Sequence, residues 1–223
     1  MAHNPYKTPS TQSSPAAQAS VHGPYGVFRD NGPLRAIIII LLLCDVMVSI
    51  FVVSLSNLLP EETLLDNTDQ IFSITKWVQI AIILPLVILF CTWINRCCKN
   101  GWLMDAPRMK TTPGLAVGYY FTPVLSLWKP FTTMKEIRNA SYGRSDMLNT
   151  TLRLWWFFSL ALLCATFIIT LIHENATTPE TLSIAVKLQT VSTPIRIILA
   201  YLMICMVMGI TRAQNQRIAQ WRR

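Results

Sequence analysis

An all-α integral membrane protein with four transmembrane helices is the fold class that the sequence predicts, and three observations predict it. Hydrophobic residues make up 52% of the chain and charged residues only 13%, with a mean hydropathy of +0.41, a balance outside the range of soluble globular domains. Four runs are long and apolar enough to cross a hydrocarbon core of about 30 Å. Basic and acidic residues fall on different connections between those runs, as the positive-inside rule requires. The surplus of +8 is therefore read as topology, and no nucleic-acid partner is expected.

The first 33 residues, rich in Pro, Ser, Gln and Ala and without an apolar period, are expected to form a disordered cytoplasmic tail. The membrane domain is predicted over 34–212. Its first span, 34–59, carries one charge, Asp45, and reads as an uncleaved signal anchor. The second, 71–95, holds Lys76 near its start and Pro85 inside, where a missing backbone donor predicts a kink. The third is 152–172. The fourth, 182–210, is read as one long helix bent near Pro194, opened by Thr178, Pro179 and Glu180 as cap, first turn and acid. A basic cytoplasmic tail, 213–223, follows.

Between the first two spans, Asn57 to Gln70 carries Glu61, Glu62, Asp66 and Asp69 with no Lys or Arg, which predicts an external loop. Between the second and third lie nine basic residues from Arg96 to Arg153. With both tails, 16 of the 19 Lys and Arg residues then face the cytoplasm, so both termini are predicted inside the cell (inner) membrane. The apolar stretch 113–130 fits this count only as a re-entrant or interfacial segment. Its stretch from Leu115 to Trp128 extends about 21 Å as helix, short of the bilayer core. Phe131, Met134, Ile137 and Ala140 then recur at spacing three beside Lys135, Arg138 and Arg144, predicting an amphipathic helix over about 130–145. It is expected either to lie on anionic lipid or to pack against the helix ends.

The run WINRCCKNGWLMDAPRMKTTPGLAVGYYFTPVLSLWKPFTTMKEIRNAS, Trp93 to Ser141, resembles the core of DUF4328, a bacterial family of multi-pass membrane proteins whose domain has no assigned function. The resemblance is carried by Trp93, Arg96 and Asn100; by Gly118, Phe121 and Pro123; by Trp128 and Pro130; and by Met134, Glu136, Ile137, Ala140 and Ser141. The pair Trp155 and Trp156 and the exit ITRAQNQR also resemble the family. Coverage is roughly Leu34 to Arg217. The resemblance implies a location and an architecture but no reaction.

Asp45 is the sharpest functional candidate, because an ionisable group in mid-span usually faces protein or water. It is expected to pair with Arg196, which reaches toward it by snorkelling, or to hydrogen-bond within the bundle. The rival expectation is an ion or proton site. The acids of the 57–70 loop are too sparse for calcium, and His3, His22 and His173 are too scattered for zinc. No metal or other cofactor is expected. None of the six cysteines falls in a predicted external loop, so no disulfide framework is expected. Trp77 marks one membrane interface and Trp93, Trp102, Trp128, Trp155 and Trp156 the other. Tyr119 and Tyr120 are read as packing residues, with a small pocket beside Gly118 as the alternative.

No nucleophile, acid–base or phosphate-binding motif is present, so the chain is not expected to be an enzyme. The expected function is a non-enzymatic scaffold or accessory protein whose basic cytoplasmic face meets a protein partner, a second copy or anionic lipid. The alternative is an oligomeric small transporter or channel subunit using Asp45 in an aqueous path.

Overall fold

The computed structural model describes residues 22–58, 61–144, 150–175 and 178–221. Six α-helices run through these residues: α1 Gly32–Leu58, α2 Glu61–Asp105, α3 Pro113–Phe121, α4 Lys129–Tyr142, α5 Thr150–Glu174 and α6 Pro179–Trp221. Four of them, α1, α2, α5 and α6, are long and apolar enough to cross a membrane. Their apolar faces explain why. Phe51, Met47, Trp77, Phe157, Leu163, Phe167, Val191 and Tyr201 are all more than 60% exposed. Water would oppose so much bare apolar surface, whereas lipid accepts it.

α5 lies along α6, and α1 packs against both α2 and α6. At about 1.5 Å per residue, α2 and α6 are each more than twice the thickness of a bilayer core, so both extend beyond it. Pro85 and Pro194 lie within continuous helices. The buried core gathers toward the end of the bundle where α1 begins and α6 finishes, here called the basic end. Ile38 and Leu42 of α1, Phe90, Trp93 and Ile94 of α2, Leu152 and Trp155 of α5, and Met206, Val207 and Ile210 of α6 meet there. Phe90 is its aromatic centre. It stacks on Trp93 at 5.6 Å, meets Tyr120 edge-on at 6.1 Å and lies 6.5 Å from Trp155, joining α2, α3 and α5.

Three differences from the expected boundaries have physical causes. The acidic stretch 57–70 is not a loop, because α2 already begins at Glu61; carboxylates in the first turns are favoured by the positive end of the helix dipole. The tail does not run to residue 33. Residues 22–27 form a two-stranded turn, β1 (His22–Gly23) paired antiparallel with β2 (Gly26–Val27), and residues 22–31 dock on the end of α2. The expected disorder of 1–21 lies outside the described residues. The basic tail 213–223 is helical through Trp221 because Ala213, Gln214 and Ile218 extend the buried stripe of α6. Of the two placements expected for the amphipathic helix, α4 takes the second: its apolar face packs on α2 and α6, with Met134, Ile137 and Ala140 fully buried.

The stretch 113–130 is a short helix, a 3-10 turn over Leu125–Leu127 and the start of α4. Thr112 caps α3 by accepting from the Leu115 N–H at 3.4 Å, with Pro113 preset in the first turn. α4 ends where Gly143 takes the left-handed conformation, φ 67°, which only glycine enters without strain.

Candidate functional site at the basic end of the bundle

Asn100 and Gln214 form the centre of a polar knot, each only 1% exposed. The Asn100 side-chain NH2 donates to Gln214 Oε1 at 3.0 Å and to the Arg29 carbonyl at 2.9 Å, while its Oδ1 accepts from the Arg29 N–H at 3.1 Å. The Gln214 NH2 donates to the Cys97 carbonyl at 3.1 Å and to Ser141 Oγ at 3.0 Å. Ser141 in turn donates to the Ile137 carbonyl at 2.6 Å. Two amides thus use both donors and their oxygens to tie α2, α4, α6 and the segment before α1 at one point. A buried amide left open would be costly, so the mutual satisfaction fixes the register of all four.

Further ties surround the knot. Trp93 Nε1 donates to Thr211 Oγ1 at 3.1 Å, and Arg217 Nη1 donates to the Ala140 carbonyl. Asn31 Nδ2 donates to Cys97 Sγ at 3.2 Å. Asp30 accepts from the Gly32 N–H at 2.9 Å and from Asn215 Nδ2 at 2.9 Å; the first of these bonds, helped by the second, holds its carboxyl below the usual carboxylate range. Tyr25 meets Trp102 edge-on at 5.6 Å.

A second set of bonds holds the connection between α2 and α3. Glu136 accepts from the backbone N–H groups of Lys110 and Thr111 at 3.1 and 2.9 Å. The Thr111 carbonyl accepts from Trp102 Nε1 at 2.9 Å, and Asn95 Nδ2 donates to the Pro113 carbonyl at 3.0 Å. Trp156 Nε1 donates to the Leu127 carbonyl at 3.0 Å, fastening the turn before α4 to α5.

The residues singled out in the sequence therefore separate into two groups. Trp93, Asn100, Pro130, Met134, Ile137, Ala140, Ser141 and Trp155 are buried, and Glu136 and Trp156 bond backbone groups. Gly118, Phe121, Pro123 and Trp128 point outward, with Phe121 66% and Trp128 45% exposed. Arg96 is half-buried and has no ion pair among the described residues. Tyr120 is packed against Phe90, and Lys129 lies 5.5 Å over the Tyr119 ring; these contacts favour packing over a pocket beside Gly118. Cys97 and Cys98 are buried. Sequence reasoning placed Gln214 and Thr211 in the family-like exit ITRAQNQR without giving either a role, and it gave Arg29 none beyond its charge. The first two were detectable, since they continue the stripe of Val207 and Ile210 at helical spacing.

Away from the knot, Arg196 Nη1 lies 3.4 Å from Asp45 Oδ1, the side chains 15% and 11% exposed, and the contact links α6 to α1. Ser49 Oγ donates to the Asp45 carbonyl at 2.8 Å. At 3.4 Å the contact is longer than a tight charge-assisted bond of about 2.8 Å, but it neutralises a carboxylate that would otherwise sit alone in mid-span. Among the described residues, no group of three or more His, Cys, Asp or Glu side chains is placed to hold a metal ion.

Four apolar helices and a knotted basic end define a multi-pass membrane protein. Residues 57–212 match the family described as "Domain of unknown function (DUF4328)", and the chain belongs to that family. α1 precedes nearly all of the matched region. No curated protein and no solved structure matches the chain.

Proposed function

We propose that the protein is a non-enzymatic scaffold or accessory protein of the cell (inner) membrane, with both termini and the basic end in the cytoplasm. One observation carries this reading: Asn100, Gln214, Ser141 and Glu136 at the basic end are occupied by one another and by backbone groups. What faces outward is charge and apolar surface. Lys110, Lys135, Arg144, Arg153 and Arg212 are exposed, and beside them Phe121, Val124, Leu127 and Trp128 form an exposed apolar edge. That edge dips into the inner leaflet as an interfacial segment, and the cations beside it engage an acidic protein partner, a second copy or anionic lipid.

The test is co-purification of the full chain in mild detergent against a Lys110→Glu, Lys135→Glu, Arg144→Glu triple variant. A stoichiometric protein or a second copy retained by the first and lost from the second supports the scaffold. Identical eluates from vesicle-reconstituted and detergent samples of both proteins would sink it. The transport reading needs Asp45 in contact with water, and the near-complete burial of its side chain against Arg196 supports a structural role instead. Abolished ion or proton flux in proteoliposomes of a folded Asp45→Asn variant would restore transport.

A further inference from the structure

A cavity of about 420 Å³ opens between α2, α5 and α6, well away from the polar knot. Along α2 its wall changes character within four turns. Lys76 and Gln79 stand at one end, and Ile80, Ile83, Leu84 and Val87 follow toward the basic end. This face covers about 18 Å of helix. Gln189 and Arg196 of α6 complete the polar part, and Ile169 of α5 adds to the apolar part. No Asp or Glu is among the described lining residues, and Lys76 has no ion pair among the described residues. The side-chain amides of Gln79 and Gln189 likewise bond to no described residue, so donors converge on a space that supplies no acceptor charge.

We infer that this cavity binds one anionic phospholipid from the leaflet at the acidic end of the bundle. The phosphate sits at Lys76 with the Gln79 and Gln189 amides as neutral donors, and one acyl chain follows Ile80, Ile83 and Val87. Three features select this occupant over others. The volume lies within the range of single-ligand sites, which suits a headgroup and part of one chain. The apolar wall is itself exposed, with Leu84 at 60% and Ile80 at 41%, so a ligand already in the membrane enters sideways without crossing water. The uncompensated cation favours an anion over a zwitterion. Arg196 shares its charge with Asp45, which leaves Lys76 to set the preference. The inference does not depend on the scaffold reading, which concerns the opposite end of the bundle.

The experiment is native mass spectrometry of the full-length chain with phosphatidylglycerol or phosphatidylcholine added at equal concentration. The unmodified protein is expected to retain one phosphatidylglycerol about tenfold more tightly than phosphatidylcholine. Lys76→Gln is expected to bring the two lipids level, and Lys76→Arg to keep the preference. Ile83→Trp, which fills the apolar wall, is expected to abolish retention of both lipids. Equal retention by the unmodified protein, or a preference that survives Lys76→Gln, overturns the inference. If Lys76→Gln does not fold, Ile83→Trp decides: undiminished retention overturns the inference. A two-copy assembly that shields Ile83→Cys from thiol labelling also overturns it, since a second copy would then fill the cavity.

Discussion

Asn100 and Gln214, 114 positions apart in sequence, share a 3.0 Å hydrogen bond inside the protein. Beyond that bond Asn100 donates to and accepts from the Arg29 backbone, and Gln214 donates to the Cys97 carbonyl and to Ser141, so replacing either leaves the other short of a partner. Gln214→Leu is expected to leave Asn100 Nδ2, Ser141 and the Cys97 carbonyl short of a partner and to destabilise the fold by roughly 2–4 kcal/mol. A thermal melt of the purified variant in detergent checks it. A midpoint unchanged within error would show that water replaces the amide.

The Asp45–Arg196 contact predicts non-additivity. Asp45→Leu leaves a cation without its counter-charge and Arg196→Leu leaves a carboxylate, so each single variant should lose much of its folded yield. The double variant, apolar on both sides, should recover most of that yield, a coupling of about 1–3 kcal/mol. Equal losses in single and double variants would mean that the two side chains do not act as a pair.

Asp30 gives a pH dependence with a definite sign. Its carboxyl is held below the usual range by the Gly32 N–H and Asn215, so the folded state prefers the ionised form. The resulting stability is present at neutral pH and is lost as pH falls through the lowered folded value, below about 4. The difference in melting temperature between the unmodified protein and Asp30→Asn should therefore be full at pH 7 and shrink toward zero on acidification. A gap that widens in acid would reverse the assignment.

Tyr120 carries a buried hydroxyl with no partner among the described residues. Removing an unpartnered polar group from a packed site is neutral or favourable. Tyr120→Phe should thus keep or raise the melting temperature, by up to about 1 kcal/mol of stability, while preserving the edge-on contact with Phe90. A clear loss would reveal a water or lipid group bonded to the phenol.

Helix number and approximate position were legible because each span is an apolar run of bilayer length, a property of the local sequence alone. The pairing of Asp45 with Arg196 was also within reach, since two isolated charges in adjoining spans have few alternatives. The knot was less legible. Asn100, Ser141 and the exit that holds Gln214 could be singled out as part of a recurring pattern, but the pattern does not say that Gln214 reaches back to the other two. Arg29 contributes only backbone groups, and composition cannot reveal a backbone that docks on a distant amide. Likewise α2 starts before its apolar run, because the dipole-favoured acids of its first turns resemble a loop when hydropathy is the only guide.

Tyr142 and Gly209 show how tightly the last helix must fit, since a side-chain carbon at Gly209 would lie 2.9 Å from the Tyr142 hydroxyl. The polar tie at Gln214, little more than one turn further on, is made in the same close-fitting stretch. The partners of Asn100 lie on both sides of it in the chain: the Arg29 backbone is synthesised before it and Gln214 long after it. The last of these bonds therefore forms only once α6 lies in register beside α2 and α4.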